Sequence, residues 1–140
     1  MSYTMPVTKE MVTARTTASI STKNAVVICR HLNRMQFKRA KKTISDIVEK
    51  KKSIKGCYYT SASENIKRLL ESLESNAKAR DIEPGKMILF ISAHQGATMM
   101  RARRKRRHGT MMKSTNLQAI LKPGEEKVEK KKEEKKVEKK

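Results

Sequence analysis

A chain of 140 residues with 34 Lys and Arg against 14 Asp and Glu carries a formal charge of +20. That length suits one domain with a small core, and that charge calls for a polyanionic partner, nucleic acid before any other. A membrane span and a signal-peptide core are excluded by apolar runs no longer than the five residues of Ala25–Cys29 and Met87–Ile91, and a base-stacking platform is poorly supplied by aromatics that number three Tyr, two Phe and no Trp.

Residues 1–24 are rich in Ser and Thr, with Lys9, Arg15 and Lys23 against Glu10 alone, a balance also found in organellar leaders. Thr13 to Ser21, however, is dense in β-branched and small residues and has no apolar helical face. A flexible extension over 1–12 followed by an edge strand is expected. Ser21 and Thr22 can each cap a helix. Val27, Ile28, Leu32 and Met35 then recur at helical spacing and predict a first helix over about 23–33. Phe37, Ala40, Ile44, Ile47 and Val48 form the stripe of a second helix with a basic back of Lys38, Arg39, Lys41 and Lys42. Lys50–Lys52, Ser53 and Gly56 end it.

Ser61-Ala62-Ser63-Glu64 matches the reciprocal capping box and sets the start of a third helix. Ala62, Ile66, Leu69, Leu70, Leu73 and Ala77 give that helix its apolar stripe, and Asp81-Ile82-Glu83-Pro84-Gly85 stops it near Arg80. Lys86 to Ala93 reads as a strand with Met87, Leu89 and Ile91 on one face and Ile88 and Phe90 on the other. Leu117 to Leu121 reads as its partner. The intervening stretch has no helical stripe and no long loop cluster, so the strands are expected to continue outward as a hairpin over about 93–115. Arms of about 10 residues at about 3.4 Å each project about 30 Å, too far for the tip to be packed by its own domain. Residues 123–140, with eight Lys and six Glu, form a low-complexity tail with too little apolar surface to fold alone. The single domain thus runs over 13–122, and residues 1–122 carry +18 of the charge.

The hairpin tip holds the chain's most informative segment, Arg101-Ala102-Arg103-Arg104-Lys105-Arg106-Arg107, in which six of seven residues are basic. Such a run repels itself in a free protein, and closely spaced phosphates relieve that repulsion. Placement between two strands makes it a presented probe rather than a free tail. No catalytic or metal constellation accompanies it. His31, His94 and His108 are widely spaced and have no carboxylate or thiol companions at ligand spacing. Cys29 and Cys57, 28 positions apart, read as reduced thiols. No glycine-rich phosphate loop, nucleophile elbow or paired carboxylate is present, so neither an enzyme nor a cofactor is expected. Single-strand readers are disfavoured as well, because the glycines form no Gly-x-x-Gly clamp and no aromatic ribonucleoprotein motif occurs. The methionines, Met99-Met100 and Met111-Met112 among them, fit either a deformable surface or, as the first expectation, the filling of gaps.

Two segments give the chain a family resemblance. Leu70-Glu71-Ser72-Leu73-Glu74-Ser75-Asn76-Ala77 resembles a helix ending in a Leu...Asn-Ala pattern. Met100-Arg101, Arg103, Arg106 and His108-Gly109 resemble a Met-Arg-rich hairpin with an Arg-x-His-Gly turn. Together, over roughly Ala14 to Leu121, they resemble the universal large-subunit ribosomal protein family numbered twenty-two in bacteria and seventeen in eukaryotic cytosolic ribosomes, in its archaeal and eukaryotic branch. The chain departs from that pattern in its short Lys50–Thr60 link, in Thr98 where the family has proline, and in Asn116 where it has His. The resemblance implies an α+β fold with a small three-stranded antiparallel sheet, about three helices and one long protruding β-hairpin. It implies a structural constituent of the cytosolic large subunit that binds large-subunit rRNA, supports assembly and lines the nascent-peptide exit tunnel with its hairpin. Expected partners are that rRNA, neighbouring large-subunit proteins and the nascent peptide, with no membrane and no homo-oligomer.

Arg101, Arg103, Arg104, Lys105, Arg106 and Arg107, with His108 and Gly109 at the turn, are expected to meet rRNA phosphates, their guanidinium forks bonding two oxygens where geometry permits. Arg15, Lys23, Arg30, Lys38, Arg39, Lys41 and Lys42 would anchor the globular part. The alternative is a stand-alone basic regulator that binds nucleic acid outside any particle.

Overall fold

The computed structural model describes residues 3–102, 106 and 109–123. The class is α+β, with strands β1 (Val12–Ala18), β2 (Ile88–Gln95), β3 (Met99–Met100), β4 (Met111–Met112) and β5 (Thr115–Lys122), and helices α1 (Thr22–Leu32), α2 (Phe37–Val48) and α3 (Thr60–Lys78). A three-stranded antiparallel sheet has the order β1-β5-β2, so the last strand of the chain is its centre. Period-two alternation decides which side chains are inside. Leu121 stands between Val12 and Leu89, and Ala119 between Ala14 and Ile91. All six of these side chains are buried. Against this face lie α3, over β1 and β5, and α1, over β2, while α2 packs chiefly on α3. Ile28, Leu32, Ile44, Ile47, Ile66 and Leu73 close the core between helices and sheet.

The three helices fall where their stripes predict, and the capping of two of them differs from expectation. Ser21 does occupy the N-cap of α1 but makes no side-chain cap bond. Thr22 Oγ1 instead pairs with Thr115 Oγ1 at 2.8 Å, and the Thr115 hydroxyl donates to the Ile20 carbonyl at 2.9 Å, which locks the start of α1 to the central strand. The capping box at Ser61 does not form. Tyr59, in the left-handed region at φ 47°, is the N-cap, and α3 begins at Thr60. The Ser63 amide already donates to the Tyr59 carbonyl at 2.9 Å, which makes Ser61 a helical residue. The cause is packing: Ala62 and Ser63 are both buried, and Ser63 Oγ satisfies itself on the Tyr58 carbonyl at 3.1 Å. Core burial therefore overrides the local capping signal.

Two tertiary ties had no sequence signal. The linker from α1 to α2 runs along the outer edge of β2. The Arg34 amide donates to the Leu89 carbonyl at 2.8 Å, the Leu89 amide to the Met35 carbonyl at 2.8 Å, and the Phe37 amide to the Met87 carbonyl at 3.0 Å. The Met87–Leu89 end of that edge is thereby closed to pairing with another chain. On the far side of the sheet, the Thr4 amide donates to Gln118 Oε1 at 3.1 Å, and its hydroxyl lies 2.9 Å from Ser92 Oγ and 3.1 Å from His94 Nε2. The segment expected as a flexible extension thus holds the outer face at this point and explains why Gln118 is 4% exposed.

Cys29 is buried on α1 and Cys57 is exposed. Burial pushes the Cys29 thiol up to about 12, so near neutral pH it is protonated and unreactive. A thiol reagent is expected to titrate one fast equivalent, Cys57, in the native protein and two in denaturant. Two fast equivalents in the native protein would show that the α1 side of the core opens readily.

Candidate nucleic-acid interface

The arms of the hairpin leave the sheet through β2 and β5. Gln95 pairs with Thr115, the Gly96 amide donates to the Ser114 carbonyl at 2.9 Å, and the second ladder pairs Met99 with Met112 and Met100 with Met111. Its last described rung is the Arg101 amide on the Thr110 carbonyl at 3.0 Å. Between the two ladders the register slips by one, because Ala97 and Thr98 stand opposite Lys113 alone. A two-against-one count is a β-bulge, which bends and twists the projection relative to the sheet. Thr98, where the resemblance calls for proline, sits in this bulge, off the paired positions, where proline and threonine are equally admissible.

Gly96 is required at the base. A Cβ built there meets Ser114 Oγ at 2.2 Å and the Ser114 backbone carbon at 3.0 Å. Gly96→Ala is expected to destabilise the protein by about 1–3 kcal/mol through overpacking, and adding Ser114→Gly should recover part of that loss. Chemical denaturation of the single and double variants checks this. Gly109, at φ +73°, supplies the left-handed turn residue on the returning arm.

Among the expected contact residues, Arg101 and Arg106 are exposed. Arg103, Arg104, Lys105, Arg107 and His108 lie outside the described residues. On the body, the structure brings Lys23 and Arg30 together along one face of α1 beside the hairpin base, whereas Lys38, Arg39 and Lys42 are exposed on α2, a separate patch. Arg15 lies on the edge strand β1 with its guanidinium 5.8 Å from the Tyr3 ring centre. Lys41 differs from its neighbours: its ammonium donates to Glu74 at 2.6 Å, and Lys78 reaches the same carboxylate at 3.4 Å. Hydrogen bonding from Lys41, reinforced by Lys78, holds the Glu74 carboxyl below its ordinary range. Asp46 is likewise lowered, first by its bond from Lys52. Acid thus meets base on the α2 and α3 side.

The hairpin side has no such compensation. From Pro84 to Gly124 the sequence contains no Asp or Glu and nine Lys or Arg. The charge is therefore polarised along the sequence, with acid and base mixed around α2 and α3 and cations alone from Pro84 to Gly124, and a polarised field is what steers and seats a polyanion. Lys113, in the bulge, belongs to this set and is missed by a reading fixed on the dense run. The acid-free stretch was the signal for it. The methionines correct another expectation: Met99, Met100, Met111 and Met112 are 49%, 64%, 67% and 40% exposed and fill no gap in the core. Paired across a two-stranded ribbon outside the core, they remain open to solvent. Asn76, from the helix motif, donates to the Thr13 carbonyl at 2.9 Å and so ties α3 to the edge strand.

Among the described residues no group of His, Cys, Asp or Glu is placed to hold a metal ion, and no helix is long and apolar enough to cross a membrane. Fold and charge define a small basic α+β protein whose distinctive part is structural, a cationic ribbon on a packed body. A protein-family model described as Ribosomal protein L22p/L17e matches residues 13–123, and the chain belongs to that family. It is accordingly a non-enzymatic structural protein of the large ribosomal subunit. No curated protein matches the chain.

Proposed function

We propose that the chain binds large-subunit rRNA through its hairpin and the cationic residues of its body, and that the hairpin tip helps to line the nascent-peptide exit tunnel of the cytosolic ribosome. The observation that carries this reading is the acid-free stretch from Pro84 to Gly124, whose nine cations fall mostly in the hairpin segment between β2 and β5. In the free protein those charges repel. Among sugar-phosphate strands they replace condensed counterions, and the release of those ions drives binding. Contacts of this kind position a strand rather than read its sequence, which suits a scaffold that holds separate parts of a large RNA during assembly. Arg101, Arg103, Arg104, Lys105, Arg106 and Arg107 bear most of the load, with His108 and Gly109 shaping the turn that presents them. Lys23, Arg30, Lys38, Arg39, Lys42 and Arg15 extend the contact over the body, and Lys41 contributes less because Glu74 already answers it. Neighbouring large-subunit proteins meet the remaining surface, and the nascent peptide passes the tip.

Sedimentation tests this reading. The tagged chain is expected to co-migrate with large subunits at one copy each and to stay there at moderate salt. Recovery mainly at the top of the gradient would instead indicate a stand-alone regulator.

A further inference from the structure

An open groove of about 650 Å³ separates α1 from the base of the hairpin. That volume lies within the range of about 300–1,000 Å³ typical of small-ligand clefts. Val26 and Val27 of α1 give one apolar wall and Met111 and Met112 the other, while Lys23, Arg30 and Lys113 bring positive charge to it. None of its lining residues is acidic. The first turn of α1 also opens here, since Ser21 and Thr22 line the groove. That turn has neither a side-chain cap nor an acidic residue, so its free amides and the positive end of the helix dipole are left for an anion. At the base, Ser114 lines the groove with its hydroxyl buried against Gly96.

We propose that this groove seats one unstacked nucleotide of an RNA strand. The base lies between the valine and methionine walls, and its phosphate is met by Lys23, Lys113 and the first turn of α1. The proposal rests on the reading that the chain binds RNA and adds to it a discrete seat away from the hairpin tip. Apolar walls alone would also accept a peptide segment. A wholly cationic setting without one carboxylate selects the nucleotide. The flat face of any base can pack on thioethers and branched methyls, because sulfur is polarisable and makes favourable contacts with aromatic rings, so little base preference is expected. Lys23 and Arg30, two turns apart and hence about 10 Å along the helix axis, lie where the strand enters and leaves.

Methyl and amide NMR of the full chain at physiological ionic strength tests this with adenosine and uridine 5′-monophosphate, ribose 5-phosphate as the base-free control, and an apolar peptide as the rival occupant. Both nucleotides are expected to shift the methyls of Val26, Val27, Met111 and Met112, and ribose 5-phosphate to bind about tenfold more weakly. Val26→Phe, which fills the groove without changing charge, should weaken nucleotide binding by about tenfold while the rest of the amide spectrum shows the fold intact. Absence of shifts at those methyls, equal binding of ribose 5-phosphate, or preference for the peptide would each overturn the proposal. Should the wild-type chain still bind an RNA fragment with steep salt dependence in that event, only the groove assignment falls. Should it bind no RNA, the parent reading falls with it.

Discussion

Replacing Arg101, Arg103, Arg104, Lys105, Arg106 and Arg107 together by Gln is expected to reduce the slope of log affinity against log salt by about 4 to 5 units for a large-subunit RNA fragment. The magnitude follows from counterion release, at about 0.7 per neutralised phosphate on single strands and about 0.9 on duplex. The body's share is expected to be smaller, since its contacts are spread over separate patches and Lys41 is already held by Glu74. Stability should change little, because Arg101 and Arg106 are exposed and the run lies outside the core strands, after β2 ends at Gln95 and before β5 begins at Thr115. Gln keeps length and hydrogen-bonding capacity, so a lower slope reports charge rather than lost contact area. An unchanged slope would move the interface to the body.

The second large effect is on folding. Leu121 is fully buried on the central strand, between Val12 and Leu89. Leu121→Ala should cost about 2–5 kcal/mol, the lost transfer energy plus the cavity left behind. Against a total stability of about 5–15 kcal/mol for a domain, that is enough to leave a substantial unfolded fraction on warming. The control is Val7→Ala at a site 42% exposed, expected to change stability by no more than about 0.5 kcal/mol. Denaturant titration of both variants gives the comparison. A loss at Leu121 as small as at Val7 would mean that the sheet is not the centre of the core.

How much of this could be read beforehand depended on how local its cause was. The helical stripes at Phe37, Ala40, Ile44 and at Ile66, Leu69, Leu73 are periodic, and periodicity survives in sequence. The alternation of Met87, Leu89 and Ile91 likewise placed the inner face of β2. The start of α3 is not legible locally, because the Ser61 capping signal is local, while the burial of Ala62 and Ser63 that displaces it is tertiary. Exposure of the four hairpin methionines has a related cause: side-chain type argues for burial over a deformable surface, and only topology shows a ribbon that stands outside the core. The clasp of Thr4 on Gln118, Ser92 and His94 joins residues 88 to 114 positions apart, a separation that no motif spans. Within the interface, the dense basic run was plain in the sequence. Lys113 became visible once the bulge set it beside α1.

The most direct measurement is an RNA crosslink map from photoreactive groups placed at Ala102 and Thr110 in the assembled large subunit. Both positions are exposed in the free chain, Ala102 within the basic run and Thr110 just beyond it. Crosslinks from both positions to large-subunit rRNA are predicted. Crosslinks confined to the chain's own body, with the RNA untouched, would contradict a hairpin held among phosphates.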